Sequence, residues 1–306
     1  MVNQFKISLI ICTYNRDKYL PEALESIRKQ DTALDQFELI IIDNNSTDNT
    51  ATISKSFIKN NPGLSATYYF EKNKGLSYAR NRGITEATAP VIAYTDDDAI
   101  LSPGYIQQLV TFFDTHPNAV GSGGKVIPKY ESGQPPVWMN KYLNGFVGNH
   151  DFGENILLYD KKMKYPPGCN MAYKKEILSM AGGFNNDLKF RSDDKYIFHR
   201  VKEISDQIFY VPEAWLFHYI DADRLSLENF KKLFLKTGNE EKIRSRSEGG
   251  RFSVFKKGIE FIFKFKVSLL LYFIFLLKGS AIKGKYVVLS QWYTLKGFFK
   301  KEVFVR

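Results

Sequence analysis

The chain has 306 residues, is 44% apolar and 25% charged, and carries a net charge of +10; that is ordinary globular composition, with room for one large α/β domain and an extension. The charge is uneven. Residues 251–306 hold twelve Lys and Arg against two acids, while the first 250 residues hold 31 of each sign, which argues against a nucleic-acid surface spread over a folded domain.

The two cysteines, Cys12 and Cys169, provide neither a disulfide framework nor a cysteine-based metal site, and a reducing compartment is the simplest setting. The opening stretch MVNQFKISLIICTYNR lacks a long apolar segment followed by a small-residue cleavage site, so no signal peptide is expected.

Lys6–Cys12, an almost continuous apolar run, predicts a buried parallel strand. A helix follows, with Leu20, Leu24 and Ile27 at helical spacing, Pro21 tolerated in its first turn and Asp17 as its expected cap. Phe37–Ile42 predicts a second buried strand. It ends in Asp43-Asn44-Asn45-Ser46-Thr47-Asp48, a polar turn suited to capping a helix from about Asn49. Thr67–Phe70 predicts a third strand, Leu76–Ala87 a helix and Val91–Thr95 a fourth strand. After Ser102-Pro103 a further helix is expected, with Ile106, Leu109, Val110 and Phe113 on one face. Alternating strands and helices predict a doubly wound, mainly parallel α/β sheet flanked by helices.

Three of these strands end in polar or acidic residues: Thr13–Arg16, Asp43 and Asp96–Asp98. In an open α/β sheet, ligands sit outside the carboxyl ends of the strands. Three consecutive carboxylates repel one another unless a cation neutralises them, and hard oxygen ligands suit Mg²⁺ or Mn²⁺; a solvated acidic loop is the competing reading. No phosphate-binding glycine loop follows the first strand, which weighs against dinucleotide-binding and P-loop proteins.

Eight pieces stand in the order found in one family: IICTYNR, IIIDNNSTD, NKGLSYARNRGI, YTDDDAI, PPGCNMAYKKEIL, GGF, SDDKYIFHRV and YVPEAWLFH. Over residues 5 to about 240 the chain resembles the family 2 inverting nucleotide-sugar glycosyltransferases, of GT-A fold. The resemblance implies a GT-A domain at 1–225, and the remaining residues, 226–306, are expected to form a helical, basic and aromatic membrane-associating extension.

It also implies roles for individual residues. Thr13, Tyr14, Asn15, Arg16 and Gly75 would bind the donor. Asp43 would accept the N3–H of uracil, although a turn aspartate is a common alternative. Arg80 would face the diphosphate, since arginine binds phosphate through a bidentate fork. Asp96, Asp97 and Asp98 match the D-x-D motif, with Asp98 and Asp96 as ligands to Mn²⁺ or Mg²⁺ and His218 completing the metal site.

Asp194 would be the catalytic base and Asp193 its helper, in a slot more often occupied by Glu-Asp; the pair would equally suit a helix N-terminus. Trp138, with Tyr142 and Phe146, and Asn170 are candidates for the acceptor site, where aromatic rings stack on sugars; packing inside the protein is the alternative for the rings.

The expected activity is metal-dependent, inverting transfer from a UDP-sugar to a glycan or polyprenyl-linked glycan in surface polysaccharide synthesis. A nucleotidyltransferase of related fold and a non-catalytic membrane-surface protein are the alternatives; the first lacks its glycine-rich loop and the second would lose the carboxylates. No nucleic-acid partner is expected.

Residues 252–306 are aromatic, aliphatic and basic. Val267–Leu277 has no charge, yet flanking lysines leave it short of the roughly 20 apolar residues a span needs. A helix lying in the interface of an anionic membrane is expected, which would place the protein peripherally at the cytoplasmic face; burial against the domain or a second subunit is the alternative.

Overall fold

The computed structural model describes residues 5–160, 163–188 and 192–300. Residues 301–306, part of the expected membrane segment, lie outside the described residues. The chain divides into two units. The first comprises Met1–Pro128, Gly148–Lys189 and Asp193–Tyr219, and the second Lys129–Val147, Phe190–Ser192 and Ile220–Arg306.

In chain order the elements begin with β1 (Ile7–Thr13), α1 (Leu20–Arg28), β2 (Phe37–Asp43), α2 (Thr50–Asn60), β3 (Ala66–Phe70), α3 (Leu76–Glu86), β4 (Val91–Asp96), β5 (Ala99–Leu101) and α4 (Tyr105–Thr115). They continue with β6 (Gly121–Tyr130), β7 (Leu157–Leu158), β8 (Met171–Lys174), α5 (Lys175–Met180), α6 (Asp193–Lys202), β9 (Ile208–Ile220), α7 (Leu227–Leu277) and α8 (Ala281–Phe299). The sheet runs β3-β2-β1-β4-β8-β6-β9-β5, with β7 on β9. Its β3-β2-β1-β4 part is parallel, whereas the pairs β4–β8, β8–β6 and β9–β5 are antiparallel.

The parallel strands are apolar throughout because both of their faces are covered. Ile7, Leu9 and Ile11 of β1 pack with Leu20, Leu24 and Ile27 of α1 and with Tyr105 and Ile106 of α4. Ile10 points to the opposite layer, with Ala79 of α3, Leu178 of α5 and Ile197 of α6.

Two local expectations are corrected. Asp17 does not cap α1, whose first turn has no side-chain cap. Its carboxylate instead accepts from the Asn49 side chain at 3.2 Å, which joins the loops after β1 and β2. β5 was not anticipated: three residues carry too little pattern to be read without their partner strand.

The second unit also departs from the single boundary expected at residue 225, because it recruits 129–147. The reason is aromatic packing. Trp138 is buried, stacks on Tyr286 at 4.4 Å and meets Phe230 edge-on; Phe146 packs on both Phe230 and Phe234. Trp138 and Phe146 are therefore core residues and not exposed platforms for a sugar, while Tyr142 is exposed.

α7 starts at a Ser226 cap, whose hydroxyl accepts from the Asn229 amide. It breaks at Gly249 and Gly250, where Gly250 takes φ +62°, a left-handed conformation that glycine adopts freely. α8 lies so close to α7 that a Cβ on Gly238 or Gly297 would strike the backbone oxygen of Thr294 or Leu235. Buried Arg244 meets buried Glu241 at 2.9 Å, and Glu241 also accepts from the Ser192 hydroxyl at 3.2 Å.

Candidate active site

The site lies in the first unit, at the carboxyl ends of the parallel strands. Register places Thr13 beside Asp43 and Cys12 beside Asp96, so the three polar strand ends converge as expected. Asp43 is buried. Its carboxylate accepts from the Ser46 amide and from the Tyr68 hydroxyl, each at 2.8 Å. Tyr68 was missed by sequence reasoning because only the pairing of β3 with β2 reveals it.

The loops above are locked to one another. Asn15 sits at φ +52°, a region asparagine tolerates better than most residues. Its amide donates to Ser46 Oγ, and its side-chain oxygen accepts from the Thr47 amide. Gly75, at φ +141°, donates to Asn44 Oδ1 at 2.7 Å, and Asn44 Nδ2 donates to the Asn73 carbonyl. Gly75 and Asn15 thus build the rim, and Asn44, also missed from sequence, staples it. Tyr14 is exposed, with the Lys74 ammonium 5.2 Å from its ring centre.

Asp97 and Asp98 are buried, whereas the Asp96 side chain is 37% exposed. Burial, followed by repulsion from Asp98, pushes the Asp97 carboxyl up to about 8 despite Arg16. Although its side chain is partly exposed, Asp96 is also raised, by desolvation of its carboxyl, with Arg80 opposing it. Arg16 reaches Asp97 and Asp98, each at 3.5 Å. His218 Nε2 lies 3.4 Å from Asp98 Oδ1, because β5 and β9 pair Ala99 with His218. Gly148, at φ +70°, leaves room for this imidazole: a Cβ there would come within 2.8 Å of Nδ1.

Among the described residues no three His, Cys, Asp or Glu side chains form a ready metal cluster. The donor set nevertheless fits a divalent ion. Crowded, buried carboxylates beside an imidazole are hard oxygen and nitrogen ligands, and Asp98 and His218 already share one space.

Arg80 differs from its expectation. Its guanidinium is buried and bonded within the protein instead of open to a diphosphate: it pairs with Asp193, approaches Asp96 at 3.7 Å and donates to the Gly168 carbonyl at 3.1 Å. It also lies over the Phe184 ring at 5.5 Å. Gly168 permits this arrangement, since a Cβ there would fall 2.6 Å from the guanidinium.

Asp193 and Asp194 open α6. Asp194 accepts from the Lys195 amide at 2.7 Å and from the Gly168 amide at 3.2 Å, which holds its carboxylate in one orientation. The candidate base thus sits in the first turn of α6. Cys12 and Cys169 are free thiols whose ionisation is pushed up by burial, so neither is suited to act as a nucleophile.

Asn170 is the other correction. It is buried, accepts from the Tyr105 hydroxyl at 2.9 Å, and donates to the Lys125 and Ala214 carbonyls at 3.2 and 2.9 Å. It clasps strands and has no donor left for an acceptor sugar. Asn170→Ala should therefore cost about 1–3 kcal/mol of stability by orphaning buried polar groups, with the KM for the acceptor unchanged. A melting curve paired with transfer rates over a range of acceptor concentrations checks this, and a raised acceptor KM at unchanged stability would return Asn170 to the site. A cavity of about 550 Å³ lies near the amino end of β1, lined by Lys6, Pro90 and Lys175 among others. It contains none of the converging aspartates and is not the candidate site.

The family model "Glycosyl transferase family 2" matches residues 8–180. A glucosyl-dolichyl phosphate glucuronosyltransferase of Haloferax volcanii is 26% identical, over 63% of this chain and 59% of that protein. The match therefore spans less than two thirds of that relative's length.

Two solved structures share the fold. The mannosyltransferase PcManGT from Pyrobaculum calidifontis, in complex with GDP-Man and Mn²⁺, is 15% identical with a TM-score of 0.64, covering 97% of this chain and 88% of that one. Staphylococcus aureus TarS 1–349, in complex with UDP-GlcNAc, is 16% identical with a TM-score of 0.56, covering 98% and 95%.

Proposed function

Because the chain belongs to glycosyl transferase family 2, we propose that it transfers a sugar, with inversion, from a UDP-sugar to a hydroxyl of a glycan or polyprenyl-linked glycan in surface polysaccharide synthesis. The observation that carries this reading is the convergence of Thr13, Asp43 and Asp96–Asp98 at adjacent strand ends. Asp194 is joined to the same group through Gly168 and Arg80.

Each residue has a task. Asp43 and the Thr13–Arg16 loop hold the base and ribose, and the rim at Gly75 lies against the nucleotide. Asp194 takes the proton of the acceptor hydroxyl as that oxygen bonds to the anomeric carbon, while the bond from that carbon to the diphosphate oxygen breaks. Attack from the face opposite the leaving group inverts the carbon. Arg80 pairs with Asp193 and so keeps the start of α6 in place.

Asp98, Asp96 and His218 are the residues that would hold Mn²⁺ or Mg²⁺, which when bound supplies positive charge to the departing diphosphate. The solved neighbour with GDP-Man and Mn²⁺ supports this, and the one with UDP-GlcNAc supports the uridine donor. The Haloferax relative, named for a dolichyl-phosphate substrate, supports a lipid-linked acceptor and with it a peripheral place at the cytoplasmic face of a membrane.

The test is calorimetric titration of a UDP-sugar with and without Mn²⁺. Wild type should bind more tightly with the ion. In Asp98→Ala the two titrations should coincide while the melting temperature holds, because one of three crowded carboxylates has been removed. Mn²⁺-dependent binding that survives in the variant would overturn the metal assignment.

A further inference from the structure

Twelve of the 27 exposed large apolar side chains among the described residues fall within the 26 residues 252–277. On a helix that advances about 100° per residue, Phe252, Phe255, Phe263, Leu270, Phe273 and Leu277 occupy one sector about 80° wide. They are not marginal surface residues: Phe252 is 73% and Leu277 88% exposed. The opposite face, which includes Phe261 and Ser268, is buried within the second unit. The result is an apolar stripe about 38 Å long at 1.5 Å per residue, far beyond the scattered exposed residues of an ordinary surface.

The charge beside the stripe has one sign. Between residues 251 and 300 there are ten Lys and Arg and a single acid, Glu260. Glu260 is held by Lys257 and Lys264. Lys256 and Lys266 fall within or at the edge of the apolar sector, and Lys278 closes it; all three are exposed. A second copy of the chain would set these lysines against like charges. An anionic lipid surface satisfies both features, taking the rings and aliphatics among its acyl chains and the ammonium groups at its phosphates. No helix among the described residues is long and apolar enough to cross a membrane.

We propose that the outward face of α7 from Phe252 to Leu277 is an in-plane docking surface for an anionic membrane, a proposal that rests on the membrane location proposed above. The test uses the full chain and flotation with vesicles of phosphatidylcholine, with or without phosphatidylglycerol. Wild type should float with the anionic vesicles at low salt and much less with the neutral ones. Lys256→Gln/Lys266→Gln/Lys278→Gln should lower partitioning by about 10²-fold, at about fivefold per lysine. Phe255→Ser/Phe263→Ser/Leu270→Ser should abolish flotation while keeping the wild-type melting temperature, since all three side chains are exposed.

Wild type that stays with the soluble fraction overturns the proposal. So does light scattering that shows a dimer split by the serine variant, because the stripe then belongs to a second copy. Donor titration without vesicles separates the two readings: intact binding with no flotation strikes only the membrane surface, whereas failed binding strikes the transferase.

Discussion

Asp194→Asn should reduce sugar transfer by roughly 10²–10⁴-fold, the usual worth of a positioned general base. Asparagine keeps the shape of the side chain, and its carbonyl oxygen can still accept from Lys195 or Gly168, the amides that orient Asp194. It cannot take the acceptor's proton. Donor affinity should therefore remain while turnover collapses, a split that titration and single-turnover transfer measure together. Transfer at the wild-type rate would leave Asp194 as a helix cap alone.

Arg80→Met should lower the melting temperature by roughly 10 °C. The variant leaves Asp193 buried without its guanidinium partner; breaking a buried ion pair from one side typically costs about 3–5 kcal/mol, and each kcal/mol moves Tm by roughly 2–4 °C in a domain of this size. Arg80→Met/Asp193→Asn should recover most of the loss, because the stranded charge is gone. If the double variant melts no higher than Arg80→Met, packing of the guanidinium against Phe184 is what matters, not the ion pair.

What the sequence shows and what it hides divide along a physical line. β1, β2 and β4 are legible because strands covered on both faces are written as unbroken apolar runs, and the polar residues at their ends then fall on one edge of the sheet. Asp17 was misread because a cap for the next helix and an anchor for the neighbouring loop call for the same side chain. Trp138 and Asn170 could not be placed locally: their partners, Tyr286 and the Ala214 carbonyl, lie far along the chain. The commitment of Arg80 to Asp193, more than a hundred residues away, is invisible for the same reason. The neighbourhood of Asp98 and His218 was expected from family resemblance, and no feature of either segment alone points to the other.

The second unit is stitched from three stretches of chain, and this has a consequence for biosynthesis. Trp138 leaves the ribosome well before Tyr286, an interval of roughly 7–30 s at 5–20 residues per second. In the first part of that interval the 129–147 segment lacks Phe230 and Phe234, and to its end it lacks Tyr286, on which to bury its aromatics. β5 likewise waits for β9, and Ser192, the residue immediately before Asp193, waits for Glu241. A nascent chain halted before α7 would therefore hold a nearly complete parallel sheet beside a sticky, unfinished aromatic segment. Nascent-chain pulse proteolysis should show the 129–147 stretch cut readily until the C-terminal helices emerge and protected afterwards.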